Sequence, residues 1–349
     1  MLIGNVVRLF LFHETKKVST KRADILTHAI EHVIEPPGAR AALIVSDDHS
    51  ELAGILTEAY RHCLPDARQL DFDSVSAAAI LEAFAALPPG ALVVLIQSTS
   101  FRLAEFRIRV ELFKRGLKVI EHPHLARMQA AEYSTYIDAL AYDPAYYRVL
   151  GAELKRRIDS ASGAILESGG ERLVYESGFE PAKLNTGDYS QLANVGGQFP
   201  IGEVFTEALD LERVHGRVRI FVFGDVNFNV NVPDAPICLE IARGKVVDVI
   251  DSTPDFDRVI EQISAEEPVW VRELGFGMNR ALTPERRVSD IGTYERMCGI
   301  HLSLGAKHGV FAKPNLNRRH SRFHVDVFAV TDGVILNDET VFRDGHWCV

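Results

Sequence analysis

The four cysteines of this 349-residue chain form no Cys-x-x-Cys pair. The sequence therefore predicts neither a disulfide framework nor a cysteine zinc motif, and it suits a reducing compartment. No apolar run approaches the length of a membrane span, and the opening stretch lacks the apolar core of a signal peptide. Phosphate-binding glycine motifs of the dinucleotide or Walker type are also missing. We expect a cytoplasmic protein with no membrane contact and no nucleotide cofactor.

A basic surface is lacking as well. The formal net charge is −10 and the isoelectric point is about 5.7, which excludes a general nucleic-acid binder. Hydrophobic residues make up 47% of the chain and charged residues 25%, so it can bury a sizeable core. The length suits one large or two medium domains.

The first half of the sequence alternates between short apolar runs and amphipathic stretches. Such alternation is typical of an α/β domain with a parallel sheet covered by helices. The predicted strands are residues 42–46, 91–97 and 117–121. The predicted helices run from Ser50, as N-cap, to about His62, and over residues 76–86 and 101–115. Residues 126–166 are predicted to be mostly helical, with a break near Asp143-Pro144.

Beyond Gly169 the chain changes to short β-rich runs separated by turns. Ala242-Arg-Gly-Lys, between two apolar runs, predicts a hairpin turn. We therefore predict two domains, an N-terminal α/β domain over residues 1–165 and a β-rich α+β domain over residues 166–349. One helix is predicted within the second domain, around residues 256–265.

Metal-binding residue types cluster in the second half. Glu203 follows Phe-Pro-Ile-Gly, Glu273 begins Glu-Leu-Gly-Phe-Gly, and His301 stands at the head of an apolar run. His324 and Asp326 alternate on a predicted strand, so their side chains share one face. Nitrogen and oxygen donors of this kind suit Zn, Mn, Fe or Co. We interpret the five residues as a metal site in the C-terminal domain.

Other readings of these residues stay open from the residues alone. His324 and Asp326 are also compatible with an ordinary hydrogen-bonded strand pair, and His301 with a buried core histidine. His122 and His124 have the spacing of a metal pair, although Pro123 between them indicates a loop.

A basic cluster also lies near the predicted site. Arg318, Arg319 and His320 belong either to a solvated loop or to a site that holds a substrate carboxylate.

The order and spacing of these segments, over about residues 194–349, resemble the metal-dependent aminopeptidases of the aminopeptidase T and aminopeptidase S family. The resemblance implies an N-terminal peptidase or related amide hydrolase that forms homodimers. It implies two divalent ions, Zn, Co or Mn, held by Glu203, Glu273, His301, His324 and Asp326. Glu273 would bridge the two ions, and Glu203 would also act as the general base.

One position departs from the family pattern. His308 stands where the family has a tyrosine that assists at the oxyanion, and we assign His308 the same catalytic role. The substitution leaves open a peptide-binding relative that has lost catalysis. A mononuclear iron dioxygenase acting on dihydroxypyridine is similar in fold. If this chain is an enzyme of that kind, His301, His324 and Asp326 would bind one Fe(II) as a set of two histidines and one carboxylate.

Overall fold

The computed structural model describes residues 22–31, 41–103, 106–190, 192–314, 316 and 321–349. The contacts between residues group the chain into two units, residues 1–144 with 187–200, and residues 145–186 with 201–349. The domain limits expected from the sequence, 1–165 and 166–349, stay a prediction. No helix in the described ranges combines the length and the apolar character that a membrane crossing needs.

The secondary structure elements are numbered in chain order. The strands are β1 (Ala42–Ser46), β2 (Arg68–Asp71), β3 (Leu92–Ile96), β4 (Arg102–Leu103), β5 (Phe106–Arg107), β6 (Lys118–His122), β7 (Ala164–Ser168), β8 (Glu171–Tyr175), β9 (Lys183–Asn185), β10 (Gly196–Gln198), β11 (Glu203–Glu207), β12 (Val214–Gly224), β13 (Val230–Asn231), β14 (Ile237–Ala242), β15 (Lys245–Ile250), β16 (Val271–Gly277), β17 (Gly299–Leu304), β18 (Val325–Ala329), β19 (Gly333–Leu336), β20 (Glu339–Arg343) and β21 (His346–Trp347). The numbered α-helices are α1 (Glu51–Cys63), α2 (Ala77–Ala85), α3 (Ile108–Lys114), α4 (Tyr133–Ala139), α5 (Pro144–Ser160), α6 (Pro254–Ser264) and α7 (Ile291–Tyr294).

The first unit contains a five-stranded parallel sheet in the order β10-β6-β3-β1-β2. All five residues of β3 are buried, as expected for an inner strand of a parallel sheet with both faces covered. The hydroxyl of Ser50 accepts a hydrogen bond from the amide of Ala53, so Ser50 is the N-cap of α1 as the sequence predicts. The α/β class of this part of the chain is confirmed.

The helix predicted over residues 101–115 is wrong in its first half. Strands β4 and β5 pair as a short hairpin there, and α3 begins only at Ile108. The ring of Phe101 stacks on Phe72 at 4.0 Å between centroids, and the side-chain oxygen of Gln97 accepts the amide of Phe101. These tertiary contacts hold the start of the segment in a non-helical conformation, although its pattern suits a helix. The helical prediction for residues 126–166 also fails at its end, where β7 pairs with β8 and β19.

The second unit is dominated by a 14-stranded sheet of antiparallel pairs. The hairpin predicted at Ala242 is present between β14 and β15. Its two turn residues, Arg243 and Gly244, have φ angles of 51° and 72°, which suit a tight hairpin turn. In the middle of the sheet, β18, β17, β16 and β11 are successive neighbours. The predicted metal-binding residues lie on or beside these four strands.

Candidate metal centre

The strand register places the predicted ligands on one face of the sheet. His301 in β17 lies opposite Gly275 in β16, two residues from Glu273 on the same face. Glu203 in β11 lies opposite Gly277, and Asp326 in β18 lies opposite Ser303. Because alternate residues of a strand share a face, four neighbouring strands point their acidic and imidazole groups into one region.

Two glycines make room for these groups. A Cβ atom added at Gly275 would lie 1.9 Å from Cε1 of His301, so the imidazole ring lies directly over the backbone of β16. A Cβ atom at Gly277 would lie 1.9 Å from the carbonyl oxygen of Met297. In Glu-Leu-Gly-Phe-Gly, the two glycines therefore share the face of Glu273, while Leu274 and Phe276 alternate with them and are buried as well.

Three of the predicted ligands converge. Nε2 of His301 lies 3.3 Å from Oε1 of Glu203 and 3.4 Å from Oε1 of Glu273. The three side chains are buried, and one ligand atom from each lies within 4.8 Å of the others. Among the described residues, no other group of three or more histidine, cysteine, aspartate or glutamate side chains has ligand atoms this close together. Two carboxylate oxygens and an imidazole nitrogen form a donor set that fits a divalent metal.

Glu203, Glu273 and His301 are called the triad below. The pKa values of two of its members are strongly shifted. Burial by itself would raise the pKa of Glu273, but its contacts with the imidazoles of His301 and His308 outweigh burial and hold that pKa well below its usual value. Burial would lower the pKa of His301, but Glu203 and Glu273 raise it well above the ordinary histidine value. A metal ion at this point would take the place of the imidazole proton, because a ligating histidine is neutral.

The second oxygen of each glutamate faces a nitrogen donor. Oε2 of Glu203 lies 3.6 Å from Nη2 of Arg296, and Oε2 of Glu273 lies 2.8 Å from Nε2 of His308. Each carboxylate therefore presents one oxygen to the triad and the other to a neighbouring side chain. Neighbours of this kind orient metal-binding carboxylates.

The hydrogen bonds of His308 define its tautomer. Its Nδ1 accepts the amides of Val310 at 3.1 Å and Phe311 at 3.2 Å, so the ring hydrogen of a neutral His308 is on Nε2. Although Nε2 is only 2.8 Å from Glu273, it is not aligned for a hydrogen bond to any described residue. His308 thus presents a buried, incompletely used N–H donor beside the triad.

His324 has the opposite arrangement. Its Nδ1 is 3.1 Å from the carbonyl oxygen of Lys307, to which it donates, so in the neutral ring Nε2 carries a lone pair. That Nε2 lies 3.1 Å from Oδ1 of Asp326. Burial opposes protonation, but the Asp326 carboxylate outweighs burial and raises the pKa of His324 to about 10. The structure thus brings His324 and Asp326 together as a pair, outside the group formed by the triad.

Two site residues were not assigned a role from the sequence. Arg296 is buried, pairs with the carboxylate of Glu295, and donates to the carbonyl oxygen of Gly292 at 2.6 Å. Burial and the negative charge of Asp326 raise the pKa of Glu295 well above its usual value, and Arg296 opposes the shift. The sequence signal that could have indicated these two residues is Tyr294-Glu-Arg296, which lies shortly before the segment that contains His301.

The loop that carries His308 is fixed by a buried guanidinium. Arg272, next to Glu273 in β16, forms a two-pronged ion pair with Glu207 and donates to the carbonyl oxygens of Ala306 and Phe311. These two carbonyls flank His308 in the chain. Beside the loop lies a cavity of about 220 Å³, whose lining includes His308, Phe311 and Arg272.

The remaining sequence candidates lie elsewhere. His122 is fully buried, with Nε2 2.7 Å from the hydroxyl of Tyr60 and Nδ1 2.8 Å from that of Tyr136. Both ring nitrogens are engaged, and burial lowers the pKa of His122 to about 3. His124, with Nε2 3.2 Å from the hydroxyl of Ser100, is not part of the triad.

Residues 318–320, the predicted basic cluster, lie outside the described residues, as does the opening apolar stretch.

No protein-family model and no curated protein sequence matches the chain. Among solved structures, it is similar to 2,5-dihydroxypyridine dioxygenase from Pseudomonas putida KT2440, with a TM-score of 0.64 and 13% identity over 95% of this chain and 98% of that chain. It is also similar to wild-type aminopeptidase T from Thermus thermophilus, with a TM-score of 0.55 and 13% identity over 94% of this chain and 99% of that chain. These similarities confirm the mixed α/β fold and the predicted likeness to the aminopeptidase T fold.

Proposed function

We propose that this chain is a metal-dependent hydrolase that cleaves an amide bond in the manner of an aminopeptidase, with a peptide or a small amide as substrate. The observation that carries the proposal is the convergence of Glu203, Glu273 and His301 in a buried group next to the N–H of His308. The likeness of the fold to aminopeptidase T supports it.

The triad would hold the ion through Oε1 of Glu203, Oε1 of Glu273 and Nε2 of His301. A divalent ion such as Zn²⁺, Co²⁺ or Mn²⁺ supplies Lewis-acid chemistry: it polarises a carbonyl and lowers the pKa of water toward neutrality. Oε2 of Glu203 accepts the proton of the attacking water and passes it to the leaving amine as the C–N bond breaks, in keeping with the general-base role that the family resemblance implies.

His308 supplies the hydrogen bond to the developing oxyanion. The backbone amides at Nδ1 keep the ring hydrogen on Nε2, and Arg272 anchors the loop on both sides of the histidine. A hydrogen-bond donor that is in position before the reaction stabilises the transition state most strongly in a buried site. One such bond lowers the activation free energy for kcat by roughly 2.7–4 kcal/mol. Histidine thus performs at this position the task for which the family uses tyrosine.

The cavity next to His308 would receive part of the substrate. Phe311 and Ala312 provide apolar surface, the cationic groups of Arg272 and Lys313 are paired with glutamates, and the exposed Lys307 is a third cationic residue of the lining. Its volume of about 220 Å³ suits a group of the size of one amino acid. We therefore propose a small neutral or aliphatic side chain as the preferred group.

The test is a cleavage assay on protein that has been stripped of metal and then loaded with Zn²⁺, Co²⁺ or Mn²⁺ in turn. A panel of aminoacyl p-nitroanilides and dipeptides should show metal-dependent release of the N-terminal residue, with aliphatic residues preferred. If the folded, metal-loaded protein cleaves no member of the panel, the hydrolase proposal fails. Substrate binding in calorimetry without cleavage would then favour the peptide-binding relative.

A mononuclear iron oxygenase is the second candidate, and the TM-score of 0.64 to the dioxygenase favours it. It would use His301, His324 and Asp326 as ligands, a set that the structure does not bring within shared-ligand distance in the described residues. Oxygen uptake by Fe(II)-loaded protein in the presence of 2,5-dihydroxypyridine would favour this candidate over the hydrolase.

A further inference from the structure

We propose that the centre holds one divalent ion, and that Arg296 provides the positive charge that a second ion would supply in a two-metal site. The inference rests on the proposed function, because it assumes an ion at Glu203, Glu273 and His301. It departs from the two ions that the family resemblance implies.

The two carboxylate oxygens of Glu203 face different groups. Its Oε1 faces His301 at 3.3 Å, whereas its Oε2 faces Nη2 of Arg296 at 3.6 Å. A carboxylate that bridges two ions gives one oxygen to each of them. At Glu203 the second oxygen already faces a buried guanidinium, which stays positively charged at any ordinary pH.

Arg296 is fixed in this position. It follows the short helix α7, and its Nη1 donates to the carbonyl oxygen of Gly292, one helical turn earlier. The same Nη1 pairs with the carboxylate of Glu295. Backbone and side-chain acceptors thus hold the guanidinium beside Glu203, and a second cation close to Oε2 would meet its positive charge.

Glu273, the residue expected to bridge two ions, has a similar arrangement. Its Oε1 faces His301, and its Oε2 lies 2.8 Å from Nε2 of His308, the nitrogen that carries the ring hydrogen. An ion at Oε2 would meet the hydrogen-bearing nitrogen of His308, which has no lone pair to offer it. Both glutamates therefore have one oxygen directed to the triad and one that faces a nitrogen donor.

The experiment measures bound metal per chain by mass spectrometry after equilibrium dialysis of the full-length protein against Zn²⁺ or Mn²⁺. The expected result for the parent protein is one ion per chain. Two ions per chain would overturn this inference and leave the proposed hydrolase intact. No bound ion would overturn both.

The variants then test the role of Arg296. Arg296→Gln removes the positive charge beside Oε2 of Glu203 and keeps a polar side chain, so the variant should bind two ions. Arg296→Lys keeps the charge and should stay at one ion, as should the matched control Arg217→Gln, which removes a surface partner of Glu240. If Arg296→Gln folds and binds one ion with unchanged affinity, Arg296 does not act as the second cation.

Crystallography of the Zn²⁺-loaded parent protein tests the inference even if Arg296→Gln does not fold. The anomalous difference map should show one peak, among Glu203, Glu273 and His301, with the guanidinium of Arg296 still beside Glu203. A second peak beside these residues would overturn the inference.

Discussion

Nε2 of His308 lies 2.8 Å from Oε2 of Glu273, yet the two atoms are not aligned as a hydrogen bond. The nitrogen carries the ring hydrogen because two backbone amides occupy Nδ1. A donor this close to a carboxylate, and not fully used by it, is available to a group that enters the site during the reaction. His308 therefore differs from the metal ligands, because a ligating nitrogen must present a lone pair and Nε2 of His308 carries a hydrogen.

His308→Ala should therefore lower kcat for amino-acid amides by about 100- to 1,000-fold and leave the metal content unchanged, because a donor to the oxyanion is lost and no ligand is removed. His308→Gln, which keeps a side-chain N–H, should recover part of the rate. Steady-state kinetics and metal analysis on the same samples check the prediction. Loss of metal in His308→Ala would assign His308 to the ligands instead.

Glu273→Ala should abolish both metal binding and activity, since it removes one of the three converging ligands. The matched control is Glu240→Ala, which removes a glutamate from an exposed ion pair with Arg217 in the same unit. Metal content of the folded variants, verified by circular dichroism, decides the matter. An unchanged stoichiometry in Glu273→Ala would remove Glu273 from the centre.

Replacement of His324 or Asp326 by Ala should weaken metal binding only by about 10- to 100-fold, because with one ion at the triad the pair would be neighbours of the ligands and not ligands themselves. The two variants should lose similar affinity, since each residue depends on the other across 3.1 Å. Competition with a chelator gives the dissociation constants. A loss far above that range in both variants would show that His324 and Asp326 bind an ion directly.

Gly275→Ala should lower metal affinity while the protein stays folded. The added Cβ would lie 1.9 Å from Cε1 of His301 and would displace the ring from the other two ligands. Gly54→Ala, in the first turn of α1 with nothing within 4 Å of the added atom, is the matched control and should raise stability by about 0.5–1 kcal/mol. Normal metal affinity in Gly275→Ala would contradict the close approach.

His122 predicts a pH dependence of stability. Its folded-state pKa of about 3 lies below the ordinary value of 6.5, so the unfolded chain takes up a proton that the folded chain refuses as the pH falls. Its contribution to stability is complete above pH 6.5 and is lost on going down toward pH 3, at about 1.4 kcal/mol per pH unit. Urea unfolding of the parent and of His122→Gln at several pH values should show a smaller loss in the variant. Parallel curves would contradict the shift.

The sequence predicted the features whose causes are local. Ser50 caps α1 through its own hydroxyl, and the turn at Arg243-Gly244 follows from two adjacent residues with positive φ. The start of the segment after Phe101 could not be predicted in this way, because its conformation depends on the ring of Phe72 and the side chain of Gln97.

The same limit applies to the centre. Alternation along a predicted strand suggested that His324 and Asp326 lie together, and they do lie 3.1 Å apart, although His324 stands just before β18 and not within it. The pairing of Arg296 with Glu203 depends on which strands become neighbours, and no periodicity in the sequence records that. The tautomer of His308 depends likewise on the path of its own loop.

The positions of the three ligands along the chain also determine when a metal site can be complete during protein synthesis. The triad takes its members from β11, β16 and β17, and the last of them comes nearly one hundred residues after the first. A nascent chain that ends before β17 has two carboxylates and no imidazole to complete the set. A metal centre at the triad would therefore be complete only after β17 has been synthesised, and an ion would find all three ligands only in a chain that already contains these three strands.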